Sequence, residues 1–220
     1  QPDTTLFLDL TMSEEDLLKQ MKPKGRYNIK IAQKHSIEYR SFTNESPDLE
    51  QSLQSFYNLL AITAKRDQFG VHNQSYYHTF LNILHPYSIL YLAYYQNEPI
   101  AGMLAIFYHN QAIYYYGASD SKKRNTMATY GLQWQVIKDA KKKGIKSYDF
   151  LGIAPPETTH THPWQGVTDF KLKFGGTVYQ YAGTFDYIIS PSSYFFLNFL
   201  KQLLHAVKKL KSVVFKSKFS

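Results

Sequence analysis

Two lysines stand among aromatic residues in the stretch GVTDFKLKFGG, which runs from Gly166 to Gly176. Phe170 and Phe174 flank Lys171 and Lys173 there, although a lysine ammonium is hydrated at lower cost on an open surface. The paired glycines predict a turn directly after the lysines, and a strand-like alternation follows them. The stretch therefore raises the question of whether one of these lysines is a positioned cation.

A basic loop, DSKKRN, precedes a predicted helix and could bind phosphate. Lys122, Lys123 and Arg124 supply positive charge, and backbone N–H groups at the start of the helix would add to it. Arg124 is the sharpest candidate because a guanidinium can hold two phosphate oxygens at once. A solvated loop is the alternative. The Q/R-x-x-G-x-G/A pyrophosphate loop of coenzyme A acetyltransferases is missing at this point, which argues against an acyl-CoA donor.

Metal and nucleophile chemistry find little support in the sequence. His160 and His162 in HTHPW are spaced as two ligands on a strand would be, but no carboxylate or cysteine set stands nearby to complete a metal site. We expect these histidines to shape a loop over a cleft, and we expect no metal or other cofactor. The chain has no cysteine, which excludes a thiol nucleophile, and no G-x-S-x-G pattern supports a serine triad.

A second basic stretch, MKPKGRYNIKIAQKH, could follow a nucleic-acid backbone weakly through Lys22, Lys24 and Arg26. The whole chain has 25 Lys and Arg against 17 Asp and Glu, a formal charge of +8. This balance favours polyanionic partners such as nucleic acid, nucleotide phosphates or anionic lipid. The alternatives are a solvated helix face for the stretch and simple solubility for the charge.

The order of predicted elements indicates an α/β fold. SILYLAYY, PIAGMLAIFY and AIYYYGAS predict an antiparallel meander of three strands. The basic loop follows, then a helix over TMATYGLQWQVIKDAKKK that Gly144 ends, and then a short strand, KSYDFLG. This order is typical of a GNAT-like acyltransferase fold, with a mixed, mostly antiparallel sheet flanked by helices.

Further elements are predicted before the meander. Ser13 begins a short helix that Pro23 interrupts, and a second helix turns Ile29 and Ala32 inward before the strand IEYRSF. Two more helices are predicted, one with the apolar spacing Leu49, Leu53, Phe56 and Leu60, and one from Tyr76 to Leu84.

The chain is expected to be soluble, because no apolar run approaches the ~20 residues of a membrane span, and the absence of cysteine fits a reducing, cytoplasmic setting. From residue 191 onward an amphipathic, basic helix is predicted. Its apolar face is expected to pack against protein or to dock peripherally at the membrane. That face consists of Phe195, Phe196, Phe199, Leu200, Leu203 and Leu204. Since the chain begins at Gln1 rather than Met, we also expect residues upstream of it.

Several of these segments, taken in order, resemble the FemABX family of non-ribosomal aminoacyltransferases. The matching segments are MKPKGRYNIKIAQK, FYNLLAITAKRDQF, EPIAGMLAIFYHNQAIYYYGASDSKKRNTMATYGLQWQVIKDAKKKGIKSYDFLGI and HPWQGVTDFKLKFGGTVYQYAGTFDYIISP. The resemblance implies two GNAT-like domains in a complete member. Residues 1–190 would be the second domain and residues 191–220 a C-terminal helix, with the first domain absent from this chain.

The resemblance implies that an amino acid is moved from aminoacyl-tRNA to the stem-peptide amine of a peptidoglycan precursor, either UDP-linked or lipid-linked. Lys171 matches the family lysine beside the reacting centre, and Phe170 would help to orient it. Arg124, with Lys122 and Lys123, matches the basic site expected to bind the pyrophosphate of the precursor.

The resemblance suggests further residues around this centre. Tyr130 and Tyr148 would form walls with hydroxyls near the stem peptide. Asp149 could be a general base, or it could hold a loop at the end of its strand.

Three other functions remain open at this point. A GNAT-like enzyme using a CoA thioester would be protected by coenzyme A in a thermal melt. An enzyme similar to the leucyl/phenylalanyl transferases would share the donor but use a protein N-terminus as acceptor, which an acceptor screen would reveal. A noncatalytic module would bind RNA or anionic membrane through the basic C-terminal helix, and Lys171 would then be irrelevant.

Overall fold

A computed structural model of the chain describes residues 3–158 and 162–217. The strands are β1 (Thr4–Asp9), β2 (Glu38–Phe42), β3 (Ser88–Tyr95), β4 (Glu98–Tyr108), β5 (Gln111–Ser119), β6 (Ser147–Gly152) and β7 (Thr177–Gln180). The helices are α1 (Glu14–Gln20), α2 (Pro23–Lys34), α3 (Leu49–Asp67), α4 (Gln74–Ile83), α5 (Ala128–Lys142), α6 (Gln165–Lys171) and α7 (Pro191–Ser217). Two short 3-10 turns cover Arg124–Thr126 and Leu172–Phe174.

The strands form one mixed sheet in the order β2-β3-β4-β5-β6-β1-β7. β5 and β6 run parallel, and the other neighbouring strands run antiparallel. The predicted meander is β3, β4 and β5, joined by tight turns. The expected α/β GNAT-like fold, a mostly antiparallel sheet flanked by helices, is confirmed.

Helices cover both faces of this sheet. In β3, Ile89, Tyr91 and Ala93 join the buried cluster formed with α1, α2 and α5, whereas Leu90 and Leu92 join the cluster formed with α3 and α4. Successive side chains of a strand point to opposite faces, so a strand buried on both faces must be apolar at nearly every position. This is why SILYLAYY is a continuous apolar run.

The predicted helices before the meander are confirmed, with small shifts in their bounds. The Ser13 side chain caps α1 by accepting from the Asp16 N–H at 3.1 Å. α4 begins at Gln74 rather than at Tyr76, because Asn73 caps it through the Tyr76 N–H at 3.0 Å. The cap places Tyr77 and Leu81 in the core.

The stretch after the lysines forms less strand than its alternation predicts. Only Thr177–Gln180 pairs, as β7 along β1. The described residues divide into two compact units, Gln1–Tyr181 and Ala182–Ser220, and the sheet lies entirely in the first. In the second unit, α7 begins at Pro191.

Candidate functional site

Lys171 is the last residue of α6 and is almost completely buried, with 6% of its surface exposed. Its Nζ donates to the Gly152 carbonyl at 2.7 Å and, more weakly, to the Leu151 carbonyl at 3.4 Å. The ring centroid of Tyr114 lies 5.6 Å from the same nitrogen, within the range of a cation–π contact. The lysine therefore lies where β5, β6 and α6 meet.

Aromatic packing fixes α6 at this place. The Phe170 ring lies 4.9 Å from Tyr130 and 5.4 Å from Phe174, centroid to centroid. Phe174 in turn lies 5.2 Å from Phe150 of β6. In the middle of the helix, the Thr168 hydroxyl accepts from the Ala154 N–H at 2.8 Å. The phenylalanines beside Lys171 are thus packing residues, and the lysine is turned away from them toward β6.

The paired glycines let the chain leave this helix close to neighbouring backbone. Gly176 has a φ of +91°, and a Cβ there would lie 2.3 Å from the Phe7 carbonyl oxygen of β1. Gly175 has a φ of +77°, and a Cβ there would lie 2.7 Å from the Gln20 carbonyl oxygen. Left-handed backbone without room for a side chain requires glycine. The predicted turn is confirmed, although it follows a helix and a 3-10 turn.

Burial lowers the pKa of Lys171 to about 8, and the negative charge of Asp149 opposes that change. Desolvation disfavours the charged form of a lysine, whereas a nearby carboxylate favours it. A pKa of about 8 lies above 7, so the ammonium is the main form of Lys171 at neutral pH. The site can therefore supply a poorly hydrated cation at neutral pH.

The pairing of β5 with β6 ends beside this cation. β5 and β6 are paired over three residues each, from Gln111 with Ser147 to Ile113 with Asp149. Beyond these pairs β5 continues to Ser119 and β6 continues to Gly152. Tyr114, Leu151 and Gly152 lie in the part beyond the register. A substrate group that reached the unpaired part of β5 and β6 would meet the Lys171 ammonium.

The basic loop is placed by α3. Arg66, in the last turn of α3, donates to the Ser119 carbonyl and to the Ser121 hydroxyl, each at 3.2 Å. Arg66 pairs with Asp67 at 2.7 Å, and the pKa of Asp67 is held below its usual value by Arg66 and, less strongly, by Arg124. Arg124 and Lys122 are exposed, and the Lys123 Nζ lies 5.6 Å from the Tyr95 ring centroid.

Tyr130 and Tyr148 are less accessible than predicted. Tyr148 is completely buried, and its hydroxyl accepts from the Gln133 amide at 2.6 Å. The expectation that Tyr148 forms a wall facing substrate is therefore wrong, because its side chain points into the core beneath α5. Tyr130 is 9% exposed and packs behind Phe170. Burial raises the pKa of both phenols, which stay neutral.

The predicted tRNA-binding residues differ in their surroundings. Lys22 and Lys24 are exposed at the start of α2. Arg26 is half-buried, and its Nη1 donates to three carbonyls at the end of α1, those of Leu18, Lys19 and Met21. Arg26 thus caps the C-terminal end of α1, a structural contact that the sequence analysis missed.

His160 lies outside the described residues, and His162 accepts from the Trp164 N–H at 3.1 Å. Within residues 3–158 and 162–217, no three His, Asp or Glu side chains come together as metal ligands would. Nor does the described part of the chain contain a helix that is long and apolar enough to cross a membrane.

Sequence reasoning missed Tyr114 and Arg66. Tyr114 belongs to a run of three tyrosines in β5. The strand has a bulge there, because Leu104 of β4 pairs with Tyr116 and Ala105 pairs with Tyr114. The sequence does not show this bulge, which helps to decide which tyrosine ring turns toward Lys171. Arg66 lies in AKRDQF, inside a segment that resembles the family, but its contact with the basic loop spans more than fifty residues of sequence.

A sequence model of the FemAB family matches residues 1–98 and 93–202 of the chain. The lipid II:glycine glycyltransferase of Staphylococcus epidermidis is 21% identical, over 99% of this chain and 64% of that protein. The protein of the same name from Staphylococcus saprophyticus is 22% identical, over 94% of this chain and 64% of its own length. The chain thus spans less than two thirds of these relatives.

One solved structure shares the fold closely. The crystal structure of FemX superposes with a TM-score of 0.80 at 19% sequence identity, over 89% of this chain and 64% of the FemX chain.

Proposed function

Because this chain belongs to the FemAB family, we propose that it forms part of a transferase that adds an amino acid to a cell-wall precursor. The family match over both halves of the chain supports this proposal most strongly. The names of the similar staphylococcal proteins point to glycyl transfer onto lipid II in those proteins. We extend only the reaction class to this chain: aminoacyl transfer to the stem-peptide amine of a muropeptide precursor, UDP-linked or lipid-linked.

The proposed reaction is the aminolysis of an ester. The neutral stem-peptide amine attacks the aminoacyl carbonyl of aminoacyl-tRNA, and a C–N bond forms. The bond from the carbonyl carbon to the ribose oxygen then breaks. The amine loses one proton, which reaches the leaving oxygen through substrate or water. Negative charge develops first on the carbonyl oxygen and then on the ribose oxygen.

Lys171 is proposed to stabilise that charge. An ammonium has three N–H donors. Two of them point to the Leu151 and Gly152 carbonyls, so the third can donate to a substrate oxygen. A donor held in place in a poorly hydrated site needs little reorganisation when charge develops, which is the basis of oxyanion stabilisation. Phe170 takes part indirectly, because its packing on Tyr130 sets the end of α6.

The basic loop is proposed to bind the pyrophosphate of the precursor. Arg124 and Lys122 are exposed there and Lys123 is half-buried, and Arg66 anchors the loop at Ser119. A pyrophosphate is a dense anion that suits a guanidinium flanked by lysines. On this proposal the loop binds the ground state, whereas Lys171 acts on the transition state.

The remaining partners are proposed from the charge distribution. The tRNA would contact Lys22 and Lys24 at the start of α2, and the transfer would take place in the cytoplasm, peripherally at the membrane for a lipid-linked acceptor. We further propose that residues 1–190 act together with a preceding GNAT-like domain, so activity is best measured in a protein that includes that domain.

The test is a steady-state comparison of Lys171→Met with Lys173→Met in that longer protein. Lys171→Met should lower kcat about a hundredfold or more, because it removes a donor used in the transition state, while KM changes little. Lys173, whose Nζ donates to the Asp169 carbonyl at 3.0 Å near the surface, is the matched control and should keep most activity. Normal turnover by Lys171→Met would refute the catalytic assignment.

Arg124→Ala extends the same assay to the loop. It should raise KM for the precursor about tenfold or more, with a smaller change in kcat, because a charge-assisted contact to phosphate is lost. An unchanged KM would show that Arg124 does not bind the precursor and that the loop is simply solvated.

A further inference from the structure

Asp149 is a buried carboxylate beside Lys171 that the proposed chemistry does not use. It is 6% exposed, and its Oδ1 accepts from the Thr5 hydroxyl of β1 and from the Leu151 N–H at 2.7 Å. A side-chain oxygen that accepts from the N–H two residues ahead forms an Asx turn. The carboxylate therefore stabilises a turn at the end of β6 and binds this end to β1 through Thr5.

Leu151 adopts an unusual backbone conformation within this turn. Its φ is +59°, in the left-handed region that residues other than glycine avoid because the side chain crowds the backbone there. The pairing of β1 with β6 shifts at the same place, since Thr5 pairs with Gly152 but Phe7 pairs with Asp149. β6 thus carries one extra residue, which is a β-bulge.

The bulge explains how one ammonium can meet two consecutive carbonyls. In a regular strand, successive carbonyls point in opposite directions along the hydrogen-bonding plane. Here the Leu151 and Gly152 carbonyls both reach the Lys171 Nζ, at 3.4 and 2.7 Å. A regular β6 would offer only one of them.

We propose that Asp149 is a positioning residue for Lys171, one that shapes the Leu151–Gly152 bulge into a cradle for the ammonium and keeps the ammonium charged. This proposal rests on the assignment of Lys171 to the transfer reaction. Asp149 itself would touch neither substrate.

The charges around the ammonium support this role. Among the described residues, Lys171 has carbonyls as its hydrogen-bond acceptors and the neutral Tyr114 ring beside it. Burial lowers the pKa of Lys171, and the charge of Asp149 in β6 raises it. Burial raises the pKa of the Tyr148 and Tyr181 phenols, and the Asp149 charge raises it further, in Tyr148 after the contributions of Tyr114 and Tyr91.

Asp149→Asn tests the charge without removing the turn, because an asparagine oxygen can accept from the Leu151 N–H in the same way. The pKa of Lys171 can be followed in this chain by NMR of [13Cε]lysine, with its signal assigned through Lys171→Arg. A midpoint near the value of about 8 is expected for the unaltered chain. In Asp149→Asn we expect it to fall by about 1 unit, since the favourable charge is gone.

Asp169→Asn is the matched control. Asp169 lies on α6, two residues from Lys171, but it is exposed and accepts from Gln165. It should leave the Lys171 midpoint in place. Equal midpoints in Asp149→Asn and Asp169→Asn would overturn the proposal. If Asp149→Asn folds poorly, the same titration on Asp149→Asn/Leu151→Gly decides, because glycine adopts the left-handed turn without strain.

An activity arm separates this proposal from the proposed function. In the active longer protein, the rate should fall on the alkaline side as the ammonium is lost. In Asp149→Asn that limb should move to lower pH by the shift seen by NMR, with kcat reduced and KM nearly unchanged. If Lys171→Met is fully active while the NMR shift is present, the transfer mechanism fails and the control of the lysine charge by Asp149 stands.

Discussion

At the scale of single residues, Gly117 decides where the Tyr114 ring can lie. A Cβ on Gly117 would come within 1.7 Å of the Tyr114 hydroxyl oxygen and within 2.8 Å of two ring carbons. The ring cannot rotate away from all three contacts without leaving its place beside the Lys171 ammonium. Burial also raises the pKa of Tyr114 to about 12, so the phenol contributes no charge of its own.

Gly117→Ala should therefore displace Tyr114 and destabilise the fold by about 1–3 kcal/mol, the usual cost of overpacking. Urea unfolding would measure it. Gly70→Ala is the control, because a Cβ there meets nothing within 4 Å, and its effect should stay within about 0.5 kcal/mol. Equal stability of the two variants would show that the Tyr114 ring is free to move.

The sequence could suggest Lys171 but not its environment. A lysine between phenylalanines in a segment that resembles a family was enough to select the residue. Its cradle consists of backbone carbonyls, which leave no trace in residue types, and of a left-handed Leu151, which no propensity predicts. The Tyr148 prediction failed because the local sequence does not show that α5 covers this side chain, whose hydroxyl accepts from Gln133 of that helix.

At the scale of elements, α2 combines two kinds of basic residue. Arg26 caps α1 through backbone carbonyls, and Lys24 is exposed near the start of the helix. Gly25 lies between them, where a Cβ would come 2.3 Å from the Lys173 carbonyl oxygen, so α2 packs tightly on the 3-10 turn after α6. The basic stretch thus has two roles: Arg26 holds α2 against α1, and Lys24 is exposed to solvent.

Arg26→Met and Lys24→Met should separate these roles. Arg26→Met should lower stability by about 1.5–3 kcal/mol, because several carbonyls lose a charged donor. Lys24→Met should leave stability nearly unchanged but reduce the salt slope of tRNA affinity by about 0.7–0.9. Filter binding over a salt series, together with urea unfolding, measures both. If the tRNA affinity of the unaltered chain did not change with salt concentration, the proposed tRNA contact would be wrong.

Elements with long periodic patterns could be predicted, and short ones could not. The apolar spacing of α3 and α5 and the apolar runs of β3 and β4 correspond closely to the structure. The alternation after Gly176 overpredicts strand, because β7 pairs only where β1 offers a partner. Where a short strand ends depends on a partner strand that is distant in sequence, and the local residue pattern carries no information about that partner.

At the scale of the whole molecule, the second compact unit carries the apolar stripe of α7. Phe196, Phe199, Leu200 and Leu203 follow helical spacing, and each is between 39% and 61% exposed within the chain. Asn198 and Lys201 lie on the opposite side of the same turns. No Asp or Glu occurs from Pro191 to Ser217, whereas several lysines do.

We expect this stripe either to pack against protein or to dock on anionic lipid, and vesicle flotation distinguishes the two. If lipid is the partner, Phe199→Glu should abolish flotation with anionic vesicles. Asn198→Glu, which adds the same charge on the polar side, should retain much more of it. No flotation of the unaltered chain would favour packing against protein.

The place of β1 in the sheet has a consequence for biosynthesis. β1 lies between β6 and β7, and the Thr5 hydroxyl binds a carboxylate 144 positions away. Among the strands of this sheet β1 leaves the ribosome before the others, yet it has no partner strand until residues far along the chain have been translated. The meander and its helices can collapse in the meantime. The cradle of the Lys171 ammonium is thus among the last parts of this sheet to form, so a growing chain acquires its cation only after both β6 and α6 have been translated.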